Sequence, residues 1–382
     1  MDYNSIKSQK TIIRSQYFIY FGVLGIFLPY FNLYCYHIGL SGFQIGALSA
    51  LRSVTLVFFP IIWGKVADRY QARKPIYILC NFISAGIWIF YFYTVSFWPM
   101  VVITVCYGMF YAPIISFLEA FTIDVLGKKK KSYGKIRVWG SISFILLVTI
   151  QGYIIDIYSI NIILSLILTG SIIQSFVSVK IPDMHIKKEK AATPDKKVLI
   201  NKRVIIFLFC SFLMLVSHSA YYGFFSIHME NMGYDNSFIG IAWALAAFFE
   251  IFVMIKSNFI FKRFSMENVL SFSFFVAAIR WFLLFFIEAP AAILFSQVLH
   301  AVTYGTFHIA SILYMDFLTP EGSKTLGQAI NNSLTYGFGL MTGFFINGYL
   351  YEKTGSFTLF IISGFIALAA GIIFQCNKGV KT

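Results

Sequence analysis

Twelve stretches of about twenty apolar residues run along the chain, separated by short breaks that are polar or carry Gly and Pro. At 1.5 Å rise per residue, a helix of that length matches the roughly 30 Å hydrocarbon core of a bilayer. The spans are expected at 15–37, 43–66, 75–95, 98–124, 136–156, 159–179, 203–229, 236–260, 265–287, 289–317, 325–351 and 356–376. Only 12% of residues are charged, against roughly 25% in soluble domains. Lipid offers no partner to backbone N–H and C=O groups, so each span must bond within itself as a helix. The chain is predicted to be an all-α integral membrane protein of twelve transmembrane helices in two six-helix bundles.

Basic residues orient the spans, because Lys and Arg accumulate in short cytoplasmic loops. Lys7, Lys10 and Arg14 precede span 1, and Lys65, Arg69, Arg73 and Lys74 follow span 2. Lys128 to Lys131 and Lys135 follow span 4, and a basic run follows span 6. The linkers YHIGLSGFQ, TVSFWP, DIYSIN, HMENMGYDN and IEAPAA have no Lys or Arg; Lys353 is the exception among the alternate breaks. A multi-pass protein of the cell (plasma or inner) membrane with both termini cytoplasmic is expected. The net charge of +14 then serves orientation and contact with anionic lipid, and no nucleic-acid partner is expected. The opening MDYNSIKSQKTIIRSQ leads into a full span with no A-x-A-like cleavage site, so no removable signal peptide is expected. Cys35, Cys80, Cys106, Cys210 and Cys376 show no metal-ligand spacing. Neither a disulfide framework, a metal site nor a cofactor is expected.

One long hydrophilic stretch, KIPDMHIKKEKAATPDKKVLINKR, separates six spans from six. The expected division is an N-terminal bundle 1–179, a basic cytoplasmic linker 180–202 and a C-terminal bundle 203–382. Two bundles on a polar tether can rock against each other, which suggests an alternating-access transporter with its cavity near the midplane.

Residues 114–124, IISFLEAFTID, place Glu119 inside an apolar span. An ionised group there calls for a watery cavity or a partner of opposite charge. Glu119 and Arg137 flank the basic loop at similar remove, about 9–14 Å above it. They are expected to meet across the hairpin, with Gly134 and Gly140 letting the backbones approach. Arg52 either neutralises an anionic solute or pairs for structure alone, for instance with Glu119. Asp124 suits a loop or gate contact. His218 either titrates or makes a packing hydrogen bond. His300, Tyr304 and His308 recur every four residues and share a helix face. They form either a cavity wall that handles substrate or protons, or a stripe satisfied between packed helices.

The loop GKVADRYQARKP, residues 64–75, resembles the signature G-x-x-x-D-R-x-x-R-[RK] of the major facilitator superfamily. The resemblance implies that Gly64, Asp68, Arg69, Arg73 and Lys74 form a cytoplasmic gate, the glycine permitting close helix approach. The second-half loop FIFKRFSMENVL keeps Lys262 and Arg263 but lacks the aspartate, so the gate is assigned to the first half. EAF followed by YGKIRVWGSISF is similar to the oligosaccharide:proton symporter (lactose permease-like) and phenylpropionate permease groups. FFEIF around Glu250, AAIRWF around Arg280 and Trp281, and QVLHAVTYGTFHIASILYM around His300 and His308 extend the similarity. It implies that Glu119 and Arg137 hold the solute while Glu250, Arg280, His300 and His308 couple the proton. Where lactose permease-like proteins carry a glutamate one turn after the span-10 histidine, this chain has Thr303. Glu250 therefore becomes the first candidate for the titrating group. Trp139, Trp243 and Trp281 lie near the charged positions, and Trp139 joins Arg52 as a candidate solute contact.

The function implied is secondary active transport, by proton-coupled symport of a small organic solute: an aromatic carboxylate, an oligosaccharide or a nucleoside. Proton-antiporting efflux is the alternative within transport. A nontransporting receptor or scaffold of the same fold is the alternative outside it. No nucleophile motif, metal cluster or phosphate loop points to an enzyme. The expected partners are a small solute, H+ as coupling ion and membrane lipid, with the monomer as the unit.

Overall fold

The computed structural model describes residues 3–127, 132–182, 201–320 and 323–378, with side chains from residue 8 onward. The basic run Lys128–Lys131 and most of the expected linker lie outside the described residues. Helices account for nearly all the rest: α1 Tyr3–His37, α2 Gly42–Tyr70, α3 Arg73–Tyr93, α4 Phe97–Leu126, α5 Tyr133–Ile157 and α6 Ile162–Ser178. The second half continues with α7 Lys202–Asn231, α8 Asn236–Arg263, α9 Met266–Phe286 and α10 Pro290–Leu318. The run Lys324–Cys376 is broken at Gly355, whose φ of 74° and ψ of −177° are non-helical. It holds two spans, α11 (324–354) and α12 (356–376). A side chain strains the positive φ, so glycine lets the chain turn back here without a loop. Among the described residues, ten helical runs are long and apolar enough to cross a membrane, and α6 is a shorter apolar helix. With Lys324–Cys376 counted as two, these are the twelve helices of an all-α membrane protein.

Apolar side chains line the outside as well as the core. On α8, Phe248, Phe252, Ile255 and Phe259 follow helical spacing and are each more than half exposed. Such a stripe is a liability in water and an ordinary surface in hydrocarbon.

Two compact units emerge. The first comprises Met1–Leu40, Val54–Lys188 and Asp235–Ala244; the second comprises Ser41–Ser53, Glu189–Tyr234 and Leu245–Thr382. The opening turns of α2 thus belong with the second unit and those of α8 with the first. In unit one, α1 lies so close to α5 that a Cβ on Gly25 would stand 3.0 Å from the Phe144 carbonyl. Trp88 of α3 donates to the Leu164 carbonyl of α6 at 2.9 Å. Gln16 donates to the Gln174 carbonyl and accepts from the Tyr77 hydroxyl, so these buried polar groups are satisfied within the helix layer. In unit two, α7 packs on α11, where Asn347 donates to Ser219 Oγ at 2.7 Å. His228 of α7 is buried between Ser356 Oγ at 2.8 Å and the Leu284 carbonyl at 3.2 Å.

Two helices widen into π turns. Ala301–Thr306 in α10 and Ser333–Gly339 in α11 fit one extra residue into a turn. Such turns weaken the regular ladder and recur at functional sites.

Candidate functional site

In unit one the hairpin α4–α5 carries Glu119 and Arg137. The Tyr133 hydroxyl donates to Glu119 Oε1 at 3.4 Å, and Arg137 acts electrostatically on the same carboxylate. The guanidinium lies 3.7 Å from the Phe21 ring centroid and 5.7 Å from that of Tyr17. Arg137 therefore rests against an aromatic face of α1 while its charge acts on Glu119. Glu119 lies at the surface of its helix, with the Tyr133 hydroxyl and the Arg137 charge as the polar groups that act on its carboxylate. A shelf of rings continues from there: Tyr20 stacks on Tyr111 at 5.4 Å and 11°, and Tyr111 on Tyr107 at 4.9 Å and 18°.

The glycines of this hairpin act differently from the sequence expectation. A Cβ on Gly134 would meet nothing within 4 Å, whereas one on Gly140 would clash with the Phe21 ring and lie 3.1 Å from Arg137 Nη1. Gly140 makes room for the cation and its ring; Gly134 brings no backbone close. Trp139 is two residues beyond Arg137, about 200° round the helix, and is 41% exposed. Arg52, half-buried on α2, belongs to the other unit from Glu119.

At the loop 64–75, Arg73 Nη1 meets Asp124 Oδ2 at 2.5 Å with both side chains mostly buried. The Asp68 carbonyl accepts from Gln71 Nε2, and the Arg69 guanidinium lies 5.6 Å from the Tyr70 ring. Lys74 opens α3. A Cβ on Gly64 would meet nothing within 4 Å, so this glycine makes no close helix contact in this conformation.

Unit two holds the densest polar cluster. Arg280 is fully buried. Its Nε donates to the Ser296 carbonyl at 2.8 Å, Nη1 to His300 Nδ1 at 3.0 Å and Nη2 to Gln297 Oε1 at 3.1 Å. Its guanidinium carbon lies over the rings of Tyr221 and Trp281, 4.3 Å and 4.5 Å from their centroids, contacts that hold a guanidinium in an apolar interior. Since the guanidinium can only donate, His300 Nδ1 must accept. His218 is fixed in the opposite sense. Its Nδ1–H donates to the Met214 carbonyl at 2.8 Å, leaving Nε2 to accept from Thr303 Oγ1 at 3.4 Å. Thr303 thus makes a neutral bond to histidine.

His300, Tyr304 and His308 form a column of near-parallel rings, at 5.3 Å and 8°, then 6.0 Å and 6°. At its far end His308 Nδ1 shares a 2.5 Å hydrogen bond with the Tyr336 hydroxyl of α11. Glu250 of α8 comes against the π turn of α10, its Cγ 3.1 Å from where a Cβ on Gly305 would be. Its charge acts on Tyr221, Tyr222 and Tyr336. The fold therefore gathers Glu250, Arg280, His300 and His308 into one polar cluster. Sequence reasoning missed Gln297, Tyr221, Tyr222 and Tyr336. Two of them open segments with a signal of another kind: Gln297 opens QVLHAVTYGTFHIASILYM, and Tyr336 opens the glycine-rich YGFGLMTGFF, whose glycines suit close packing. A separate groove of about 630 Å³ between α7 and α11, lined by residues such as Ile205, Phe209, Phe212 and Ile330, contains none of these charged groups.

Residues 11–362 match the model of the MFS_1 like family. The probable 3-phenylpropionic acid transporter of Escherichia coli (strain K12) is 25% identical, over 93% of this chain and 94% of its own. Maltose permease of Geobacillus stearothermophilus is 23% identical, over 91% and 89%. The crystal structure of nucleoside transporter NupG superposes with a TM-score of 0.87 at 19% identity, covering 98% of this chain and all of that one. The chain belongs to the MFS_1 like family: it is a multi-helix membrane transporter of the major facilitator superfamily and not an enzyme.

Proposed function

We propose that the protein is a proton-coupled symporter that carries a small organic solute by alternating access across the cell membrane, with both termini cytoplasmic. The observation that carries this reading is the series of buried Arg280 and His300 and half-buried Tyr304 and His308 beside Glu250. A scaffold would gain nothing from placing titratable groups at this cost in an apolar bundle. In this reading Glu119 and Arg137 hold the solute's polar groups, and Arg52 contributes positive charge. The ring shelf Tyr20–Tyr111–Tyr107 receives an apolar face. Glu250 and His308 carry the proton, and Arg280 with His300 links it to the solute. Arg73 and Asp124, with Gly64, Asp68, Arg69 and Lys74 around them, govern closure at the cytoplasmic end. The two bundles, 1–179 and 203–382, move as the alternating bodies. Relatives named for phenylpropionate, nucleosides and maltose support a small organic solute as cargo.

The test is a pH-sensitive dye trapped inside proteoliposomes, with 3-phenylpropionate, uridine and maltose added in turn. Symport acidifies the interior on addition of one of them. Alkalinisation favours antiport. No response to any of the three from folded, inserted protein, with the Glu250→Gln variant giving the same trace, overturns the reading.

A further inference from the structure

One hydrogen bond ties the π turn of α11 to the helix just past the π turn of α10. Tyr336 stands inside the π turn of α11, and His308 lies two residues beyond that of α10. Tyr304, within the α10 turn, meets the Tyr336 ring edge-on at 6.2 Å and 83°. One turn further along, Ser311 and Asn331 exchange hydrogen bonds, and Thr335 donates to Asn331 Oδ1 at 3.1 Å. Thus α10 and α11 are linked by polar side chains just where each departs from the α-helical ladder.

We propose that Tyr336 is the positioning residue that transmits protonation of His308 to the π turn of α11. The inference rests on the proton-coupled reading given above. With His308 neutral, Nδ1 accepts the Tyr336 O–H, and the hydroxyl has its proton committed. A proton arriving at Nδ1 makes the imidazole a donor at both nitrogens. The Tyr336 oxygen must then accept, and its own proton must turn to another acceptor. His308 stacks with Tyr304 on its own helix and shares a hydrogen bond with Tyr336 on α11, and Glu250 on α8 stands against Gly305 of the adjoining π turn. The carboxylate standing against the same turn of α10, Glu250, is assigned as that acceptor. When Glu250 supplies the proton, carboxylic acid and imidazole become carboxylate and imidazolium, with no heavy-atom bond made or broken. The Tyr336 hydroxyl is intact at the start and the end. Reversal of this bond alters the restraint on a turn that holds one residue more than an α-turn. Return of that turn to α geometry rotates the remainder of α11 by about 100°. Protonation is thereby converted to movement of α11.

Two measurements test this. In histidine ¹⁵N NMR of the full-length protein in nanodiscs, with His308 assigned by its loss in His308→Gln, the wild type shows Nδ1 as an unprotonated acceptor at high pH. Tyr336→Phe moves that resonance and the midpoint of its titration. An unchanged His308 titration in Tyr336→Phe overturns the link. In proteoliposomes with an imposed pH gradient, using 3-phenylpropionate and uridine as probes, Tyr336→Phe lowers accumulation about tenfold more than it lowers exchange. That is about the weight of one part-buried hydrogen bond. The double variant Tyr336→Phe/His308→Gln accumulates no less than His308→Gln alone, because the two act through one contact. Equal loss of exchange and accumulation, or losses that multiply in the double variant, overturn the role. Failure of the wild type to accumulate either probe overturns proton symport and the coupling role with it. Failure confined to the variant comparison overturns the role of Tyr336 alone.

Discussion

Asp156, in the last turn of α5, caps the first turn of α8 through Ser237. Its Oδ2 accepts from Ser237 N at 2.9 Å and from the Ser237 hydroxyl, while Oδ1 accepts from Asn236 N at 2.9 Å and Asn236 Nδ2 at 3.0 Å. The N-cap of α8, Asp235, takes the next amide, Phe238 N, at 2.7 Å. Three amides that a helix leaves without internal partners are thereby satisfied by carboxylates, at the end where the helix dipole favours negative charge. The device recurs in unit two. Ser41 and Gln44 form a reciprocal capping box at the start of α2, and Glu352 of α11 accepts from Phe43 N at 2.9 Å. Each carboxylate joins helices from opposite sides of residues 180–202, which is why the compact units exchange the first turns of α2 and α8.

Asp156→Ala removes the acceptor for four donors, and the α8 start should weaken by about 1–2 kcal/mol, in the range of a lost helix cap. Hydrogen exchange at Asn236 and Ser237 reads this directly. Their amides should exchange faster by roughly the tenfold that 1.4 kcal/mol implies, while the Phe238 amide, held by Asp235, changes less. Equal rates at all three positions in variant and wild type would show that Asp156 does not hold this turn.

Arg280→Lys should fail to replace arginine despite keeping the charge. A lysine ammonium cannot serve the Ser296 carbonyl, His300 Nδ1 and Gln297 Oε1 in the planar geometry of the guanidinium, nor lie flat between Tyr221 and Trp281. The buried groups left unpaired make the loss about 2–5 kcal/mol. Thermal unfolding in detergent should show Arg280→Lys close to Arg280→Ala. A variant as stable as wild type would mean that the guanidinium fork is dispensable.

The spans, the carboxylate in α4 and the charged and histidine members of the unit-two cluster were legible in the sequence, because burial of charge in an apolar run is itself a signal. The pairings were less so. Spacing put Glu119 and Arg137 at one depth, but it could not show that Arg137 would rest on Phe21 of α1, a helix distant in sequence. The four-residue repeat found the column His300–Tyr304–His308. It could not find Tyr336, since π turns change which residues face one another and leave no mark in composition. Trp139 was favoured by nearness in sequence to Arg137, yet two residues along a helix is about 200°, a little more than half a turn.

Phe21→Leu should leave the charge of Arg137 in place and remove the ring it faces. A cation over an aromatic face contributes about 0.5–2 kcal/mol, more where it is desolvated, so solute affinity should fall by about threefold to thirtyfold if Arg137 needs that support to stay oriented. Phe21→Tyr, which keeps a ring, should restore most of it. Calorimetric binding of the transported solute separates the cases. Equal affinity in Phe21→Leu and wild type would show that the ring does not position the cation.

Arg73 and Asp124 make the last test, because their contact ties the loop after α2 to the end of α4. At 2.5 Å, with side-chain exposures of 21% and 14%, the pair is too enclosed to be a screened surface bridge, whose contribution centres near 0–1 kcal/mol. Removing one partner leaves the other charge in a poorly solvated place, so each single variant should cost more than the pair itself contributes. Asp124→Asn and Arg73→Gln should therefore each destabilise the protein, and the double variant should be less damaging than their sum. If the pair also governs closure, the single variants should change the rate of solute exchange across proteoliposomes while binding affinity stays within about twofold. Additive losses in the double variant would mean that the two side chains act independently, and an unchanged exchange rate would restrict their role to stability.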